Sequence, residues 1–147
     1  MSADPYATRI PDGQYRATFV TLEKGFAFGS CRWFGHFKIT ETGEFFGLPL
    51  LRVWNEPRGA FLPRSHNLAL DFMAVVGTRP PSQGLKPSDF LKGCEVLVET
   101  ATVRHQTQGR RRVEIPEDCR YSKIGRLIRL TAGSPPCMSL SGARTSR

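Results

Sequence analysis

The chain has 147 residues, the length of one domain with one modest core, and its 39% hydrophobic and 10% aromatic content excludes a wholly disordered chain. No apolar run approaches the roughly 20 residues that cross a bilayer. Residues 1–10 hold Asp4, Pro5 and Arg9 rather than an apolar signal core, so a cytoplasmic protein without membrane contact is expected.

Residues 1–11 read as a flexible leader that ends at the turn signal Pro11-Asp12-Gly13. Over 14–22, Tyr15, Ala17 and Phe19 alternate with Arg16 and Thr18, the period of a half-buried strand. Residues 23–30 read as a glycine-punctuated loop carrying Phe26 and Phe28. A second strand over 31–40, a turn at Glu41-Thr42-Gly43 and a third strand over 44–54 make a β-hairpin. Two prolines and a glycine make 55–63 a loop.

Ser65 can cap a helix over 66–76 that has Leu68, Leu70, Phe72 and Met73 among its apolar positions and stops at Gly77. Residues 78–85 form a linker rich in Pro, Gly and Ser, and 88–93 hold at most one helical turn. The fourth strand, 94–104, is rich in β-branched residues; 105–120 reads as a long polar loop, and the fifth strand spans 121–131. Residues 132–147 read as a disordered tail.

The summed order β-β-β-α-β-β predicts an all-β domain with a short helix over 12–131. The expected architecture is a five-stranded OB-fold, a Greek-key barrel with its helix between strands three and four. An SH3-like barrel or a split α+β sheet also has five strands, but the helix-bearing insertion after strand three favours the OB-fold.

Lys and Arg total 21 against 13 acids, a formal charge of +8. That excess favours a polyanionic partner, because each neutralised phosphate releases counterions. Eight of these cations stand between 104 and 129 with only three acids among them. Gln106-Thr107-Gln108-Gly109 can present Arg110, Arg111 and Arg112 as a finger, with Lys123 behind it. On strand two, inward Trp33, Phe37 and Ile39 would leave Arg32, Phe34, His36 and Lys38 outward together. Burying those charges unpaired would cost several kcal/mol each, on the order of what mutational data give, so the outward register is expected. Strand three adds Arg52 and Trp54 to this face if Leu51 and Val53 are its buried set. Phe26 and Phe28 can either stack on bases or close the barrel end. Cations that track a backbone and flat rings that stack bases are what single-strand binding requires.

The four cysteines, Cys31, Cys94, Cys119 and Cys137, form no close pair, so neither a structural metal nor a disulfide framework is expected, and reduced thiols are. No P-loop occurs, Gly25-Phe26-Ala27-Phe28-Gly29 is not followed by a helical pattern, and no zinc-deaminase signature exists. Acid pairs such as Glu41 with Glu44 sit in turns. The expectation is a protein with no catalytic residues and no cofactor.

Five short motifs occur in a shared order. Gly13-Gln14-Tyr15-Arg16-Ala17 opens the first strand, and Trp33-Phe34-Gly35-His36-Phe37-Lys38-Ile39 forms the second. Gly43-Glu44-Phe45-Phe46-Gly47 follows, then Leu91-Lys92-Gly93-Cys94-Glu95-Val96 and Tyr121-Ser122-Lys123-Ile124. In order and spacing, over about residues 11–131, this resembles the single-stranded-DNA-binding OB proteins of phages and mobile elements. The resemblance implies largely sequence-independent binding of single-stranded DNA in replication, recombination or transfer of such an element, with protein partners in DNA metabolism. It departs from housekeeping single-strand-binding proteins, which usually end in an acidic tail; here Arg144 and Arg147 close a tail with no acid after Asp118. RNA is the alternative ligand of such a groove, self-association is compatible with it, and a protein-interaction or inhibitor module is the competing class.

Overall fold

The computed structural model describes residues 4–27, 30–56, 62–63, 65–81 and 84–135. In chain order these form β1 (Gln14–Ala27), β2 (Ser30–Ile39), β3 (Pro49–Asn55), α1 (Asn67–Val76) and the single-turn α2 (Ser88–Leu91). There follow β4 (Glu95–Val103), β5 (His105–Gln108), β6 (Arg111–Glu114) and β7 (Tyr121–Ala132). The protein is mostly β. Five strands make one antiparallel sheet in the order β3-β2-β1-β4-β7, and β5 with β6 makes a separate hairpin. β3 and β7 are the edges of the sheet, and among the described residues no ladder joins them.

β1 begins as its alternation predicts, with Ala17 and Phe19 in the core. Its ladder to β2 then slips between Phe19 and Thr21, leaving Val20 as a bulge that is 56% exposed. Beyond the bulge the strand continues to Ala27, so most of the expected loop at 23–30 is strand. β3 starts later than its sequence suggests. Residues 43–47 form a turn in which Gly43 and Gly47 take positive φ (146° and 87°), a backbone that a strand cannot use. The polar stretch expected as a loop at 105–120 folds into the β5–β6 hairpin and a 3-10 turn, Glu117–Cys119.

α1 stops at Gly77 as expected, with the glycine left-handed (φ 86°) and its N–H bonded to the Met73 carbonyl. Its cap is His66 rather than Ser65: the His66 Nδ1 accepts the Leu68 N–H at 3.1 Å. Burial lowers the His66 pKa, partly countered by a backbone hydrogen bond with Asn55. The core lies between the inner sheet face and the two helices and includes Phe37, Ile39, Trp54, Leu68, Phe90 and Val96.

The leader is docked from Asp4 onwards, which corrects the expectation of a flexible segment. It makes a 3-10 turn at Pro5–Ala7 and then runs beside β7: the Ser122 N–H donates to the Thr8 carbonyl at 2.7 Å, and the Ile10 N–H to the Ser122 Oγ at 2.9 Å. Ile10 is 4% exposed and belongs to the core. A short segment of mixed polarity carries no periodicity that would announce one buried isoleucine. The expected tail falls mostly outside the described residues, although Ala132 ends β7 and Pro135 is buried. No helix among the described residues is long and apolar enough to cross a membrane.

Candidate nucleic-acid interface

β2 alternates as its sequence requires. Trp33, Gly35, Phe37 and Ile39 are buried, while Arg32, Phe34, His36 and Lys38 share the opposite, outer face. The row from Arg32 to Lys38 spans about 20 Å at the usual rise of a strand. Phe34 stands between Glu23 on β1 and Val53 on β3. Its ring lies over Gly25: a Cβ there would come within 2.6 Å of it. Gly25 therefore makes the room that the half-exposed Phe34 ring occupies. The His36 Nε2 sits 3.5 Å from the Glu23 Oε1. Lys38 is exposed and makes no ion pair among the described residues. Below the row a cleft of about 700 Å³ opens between Val20, Thr21, His36, Lys38 and Pro49, with Asp4 of the docked leader on its rim.

The expectation for β3 is overturned. Arg52 and Trp54 face the core, 8% and 0% exposed, and neither reaches the outer face. Leu51 and Val53 have the outward register instead, opposite His36 and Phe34, although Leu51 is buried there as expected, 4% exposed. The physical reason is Asp71, which projects from the apolar side of α1 and is 2% exposed. Its Oδ2 accepts the Arg52 Nε and the Trp54 Nε1, each at 2.8 Å, and a second Arg52 nitrogen donates to the Gly125 carbonyl on β7 at 2.8 Å. The argument that buried charge is costly holds only for unpaired charge, and this one is paired. Gly35 makes the room: a Cβ there would lie 2.6 Å from the Trp54 ring. Two signals in the sequence pointed this way. Asp71 sits between Leu68, Phe72 and Val75 on one helix face, and a glycine in mid-strand often marks close approach of a neighbour.

The basic finger is a hairpin rather than a loop. Gly109 turns it with φ 63°, Arg110 stands at the turn, and Arg111 and Arg112 lie on β6 opposite Gln108 and Thr107. All three arginines are exposed. Arg112 leans on His105, its guanidinium 3.4 Å from Nδ1. Lys123 is exposed on β7 opposite Ala101. Phe26 is 73% exposed, but it stands opposite Cys31 on the side of the ribbon that carries Trp33, so it is not part of the Phe34 row. Phe28 lies outside the described residues.

The structure thus brings together the β2 row in one place and Arg110, Arg111 and Arg112 in another. It withdraws Arg52 and Trp54 and turns Phe26 away. Arg104 and Arg9, beside Lys123 and the hairpin root, were not among the expected site residues. Arg104 lay within the basic stretch that was singled out, whereas nothing in the leader marked Arg9. Cys31 and Cys119 carry exposed thiols, and the buried Cys94 thiol donates to the Phe90 carbonyl at 3.7 Å. Among the described residues no group of three or more His, Cys, Asp and Glu side chains could hold a metal ion. No protein-family model, no curated protein and no solved structure matches the chain.

Proposed function

We propose that this protein binds single-stranded DNA, largely independently of sequence, and serves replication, recombination or transfer of a phage or mobile element. The observation that carries the reading is the outer row of β2, where the half-exposed Phe34 ring packs against Gly25 in line with Arg32, His36 and Lys38. A ring that can accept a base and cations that can follow a backbone are the two requirements of sequence-tolerant single-strand binding. The exposed arginines of the β5–β6 hairpin supply further phosphate contacts. We further propose that the sheet is an OB-type Greek-key barrel left open between β3 and β7. The order β3-β2-β1-β4-β7 supports this, as does α1, which packs against both edges. In this reading the protein is cytoplasmic and has no catalytic role.

The test is a fluorescence-anisotropy titration of labelled poly-dT, a matched RNA and duplex DNA at two salt concentrations. Tight, salt-sensitive binding that prefers poly-dT is the expected result. Replacing Arg110, Arg111 and Arg112 by alanine should weaken it and lower the salt slope by up to about 2, at roughly 0.7 per phosphate contact on a single strand. Preference for the RNA would move the ligand class. No binding at low salt would overturn the proposal and leave a protein-interaction module as the reading.

A further inference from the structure

Two hollows of about 410 and 420 Å³ adjoin where the β5–β6 hairpin leaves the main sheet, and Thr102 and Arg104 wall both. Arg9 and Asp12 complete the first; His105, Arg112 and Lys123 complete the second. We infer that this double hollow is a phosphate site, taking a phosphate group of the bound strand, an inference that rests on the single-strand reading.

The charge balance in the hollow is one-sided. Four permanent cations and an imidazole line it against one carboxylate, Asp12. The Asp12 Oδ1 accepts the Thr102 hydroxyl at 2.7 Å, the Glu114 carboxylate is held by Arg120 at 2.6 Å, and the Glu117 carboxylate lies 4.0 Å from Arg9, which also donates to the Glu117 backbone carbonyl at 2.7 Å. Arg104 and Lys123, by contrast, make no side-chain hydrogen bond or ion pair among the described residues. Lys123 lies on β7 and Arg104 directly follows β4, beside the paired strand ends where Thr102 faces Ser122 and Val103 faces Tyr121. A rigid base of this kind presents cations without the ordering cost that a free loop bears.

Concavity separates this place from the hairpin tip. Arg110 projects from the turn and Arg111 from the strand residue beside it, where each meets a phosphate separately and water screens it. In a hollow, several donors converge on one phosphate, and low-dielectric walls focus the field. The leader matters here too. By docking along β7 it brings Arg9 to the rim of a site whose other cations lie far later in the chain.

The experiment uses the full chain and the variant Arg104→Gln/Lys123→Gln, whose two side chains are exposed and outside the core. Inorganic phosphate is titrated into labelled protein and followed by amide chemical shifts. Separately, anisotropy is measured on an oligo-dT with and without a 5′-phosphate. We expect phosphate to shift the amides of 102–105 and 123 but not those of β2, and the variant to abolish those shifts. If the 5′-phosphate tightens binding to the native chain only, the hollow takes a strand end. If both oligomers weaken equally in the variant, with a salt slope lower by about 1.4 for two contacts, it takes an internal phosphodiester. Strand binding with no phosphate shifts at 102–105 and an unaltered variant would overturn the hollow alone. Phosphate shifts without any oligo-dT binding by the native chain would overturn the strand as the source, and with it the proposed function.

Discussion

Strands β2 and β3 each carry a cation followed two residues later by a ring, Arg32-Trp33-Phe34 and Arg52-Val53-Trp54, yet they send these pairs to opposite faces of one sheet. On β2 the pair is outward, with Phe34 over Gly25. On β3 it is inward, with Trp54 over Gly35 and Arg52 locked to Asp71. Composition alone cannot separate the two cases. What separates them is whether another element delivers a buried carboxylate, and α1 delivers one to β3 only. The inward pair also spans the open side of the sheet. Arg52 reaches the Gly125 carbonyl of β7, and the Leu127 N–H points at the Asp71 Oδ1 at 3.4 Å. Side chains thereby join two edges that no backbone ladder joins among the described residues.

The comparison can be broken most forcefully at Asp71. Asp71→Ala should cost about 3–5 kcal/mol of stability, because it leaves Arg52 buried without its partner and strips the Trp54 Nε1 as well. Trp54→Ala should cost a similar about 3–5 kcal/mol through the cavity it leaves. Urea denaturation reads both, and a loss below about 1 kcal/mol for Asp71→Ala would show that the pair is not sealed from water. Phe34→Ala is the mirror experiment. Binding to poly-dT should weaken by about 1–3 kcal/mol per stacked base while the fold persists. An unfolded Phe34→Ala protein would place that ring in the core and remove the contrast between the strands.

The smallest expected effect concerns pH. His66 caps α1 through a neutral Nδ1, and burial holds its pKa below the ordinary 6.5. The unfolded chain therefore binds a proton first as pH falls below about 6.5, and stability declines across the window down to the lowered folded value. Amide hydrogen exchange at Leu68 should quicken over that window, and a His66→Asn variant, which can still cap, should flatten the dependence.

Much of the frame was legible because its signals are local. Alternation placed Ala17, Phe19, Phe37 and Ile39 inward, Gly77 stopped α1, and Ser88 to Leu91 formed one turn. The orientation of the β2 row followed from the same period. Other features were missed because their causes are distant in the chain. The bulge at Val20 resets the alternation of β1, so its second half looked like loop. The β5–β6 hairpin is a polar ribbon whose exposed faces leave little apolar pattern to read. Ile10 is buried only because Ser122 offers the leader both a donor and an acceptor.

The sequence by itself determined the β-rich order of elements, the helix before the fourth strand, the face that Arg32, Phe34, His36 and Lys38 share, and the concentration of cations around the hairpin. Each rests on spacing within one segment, and the geometry of a strand or helical turn converts spacing into direction. Only the tertiary structure decided that Arg52 and Trp54 turn inward, that the leader docks along β7, and that Arg9, Arg104, Arg112 and Lys123 gather around adjoining hollows. Those outcomes depend on partners tens of residues away, and a charge is buried or exposed according to whether such a partner arrives.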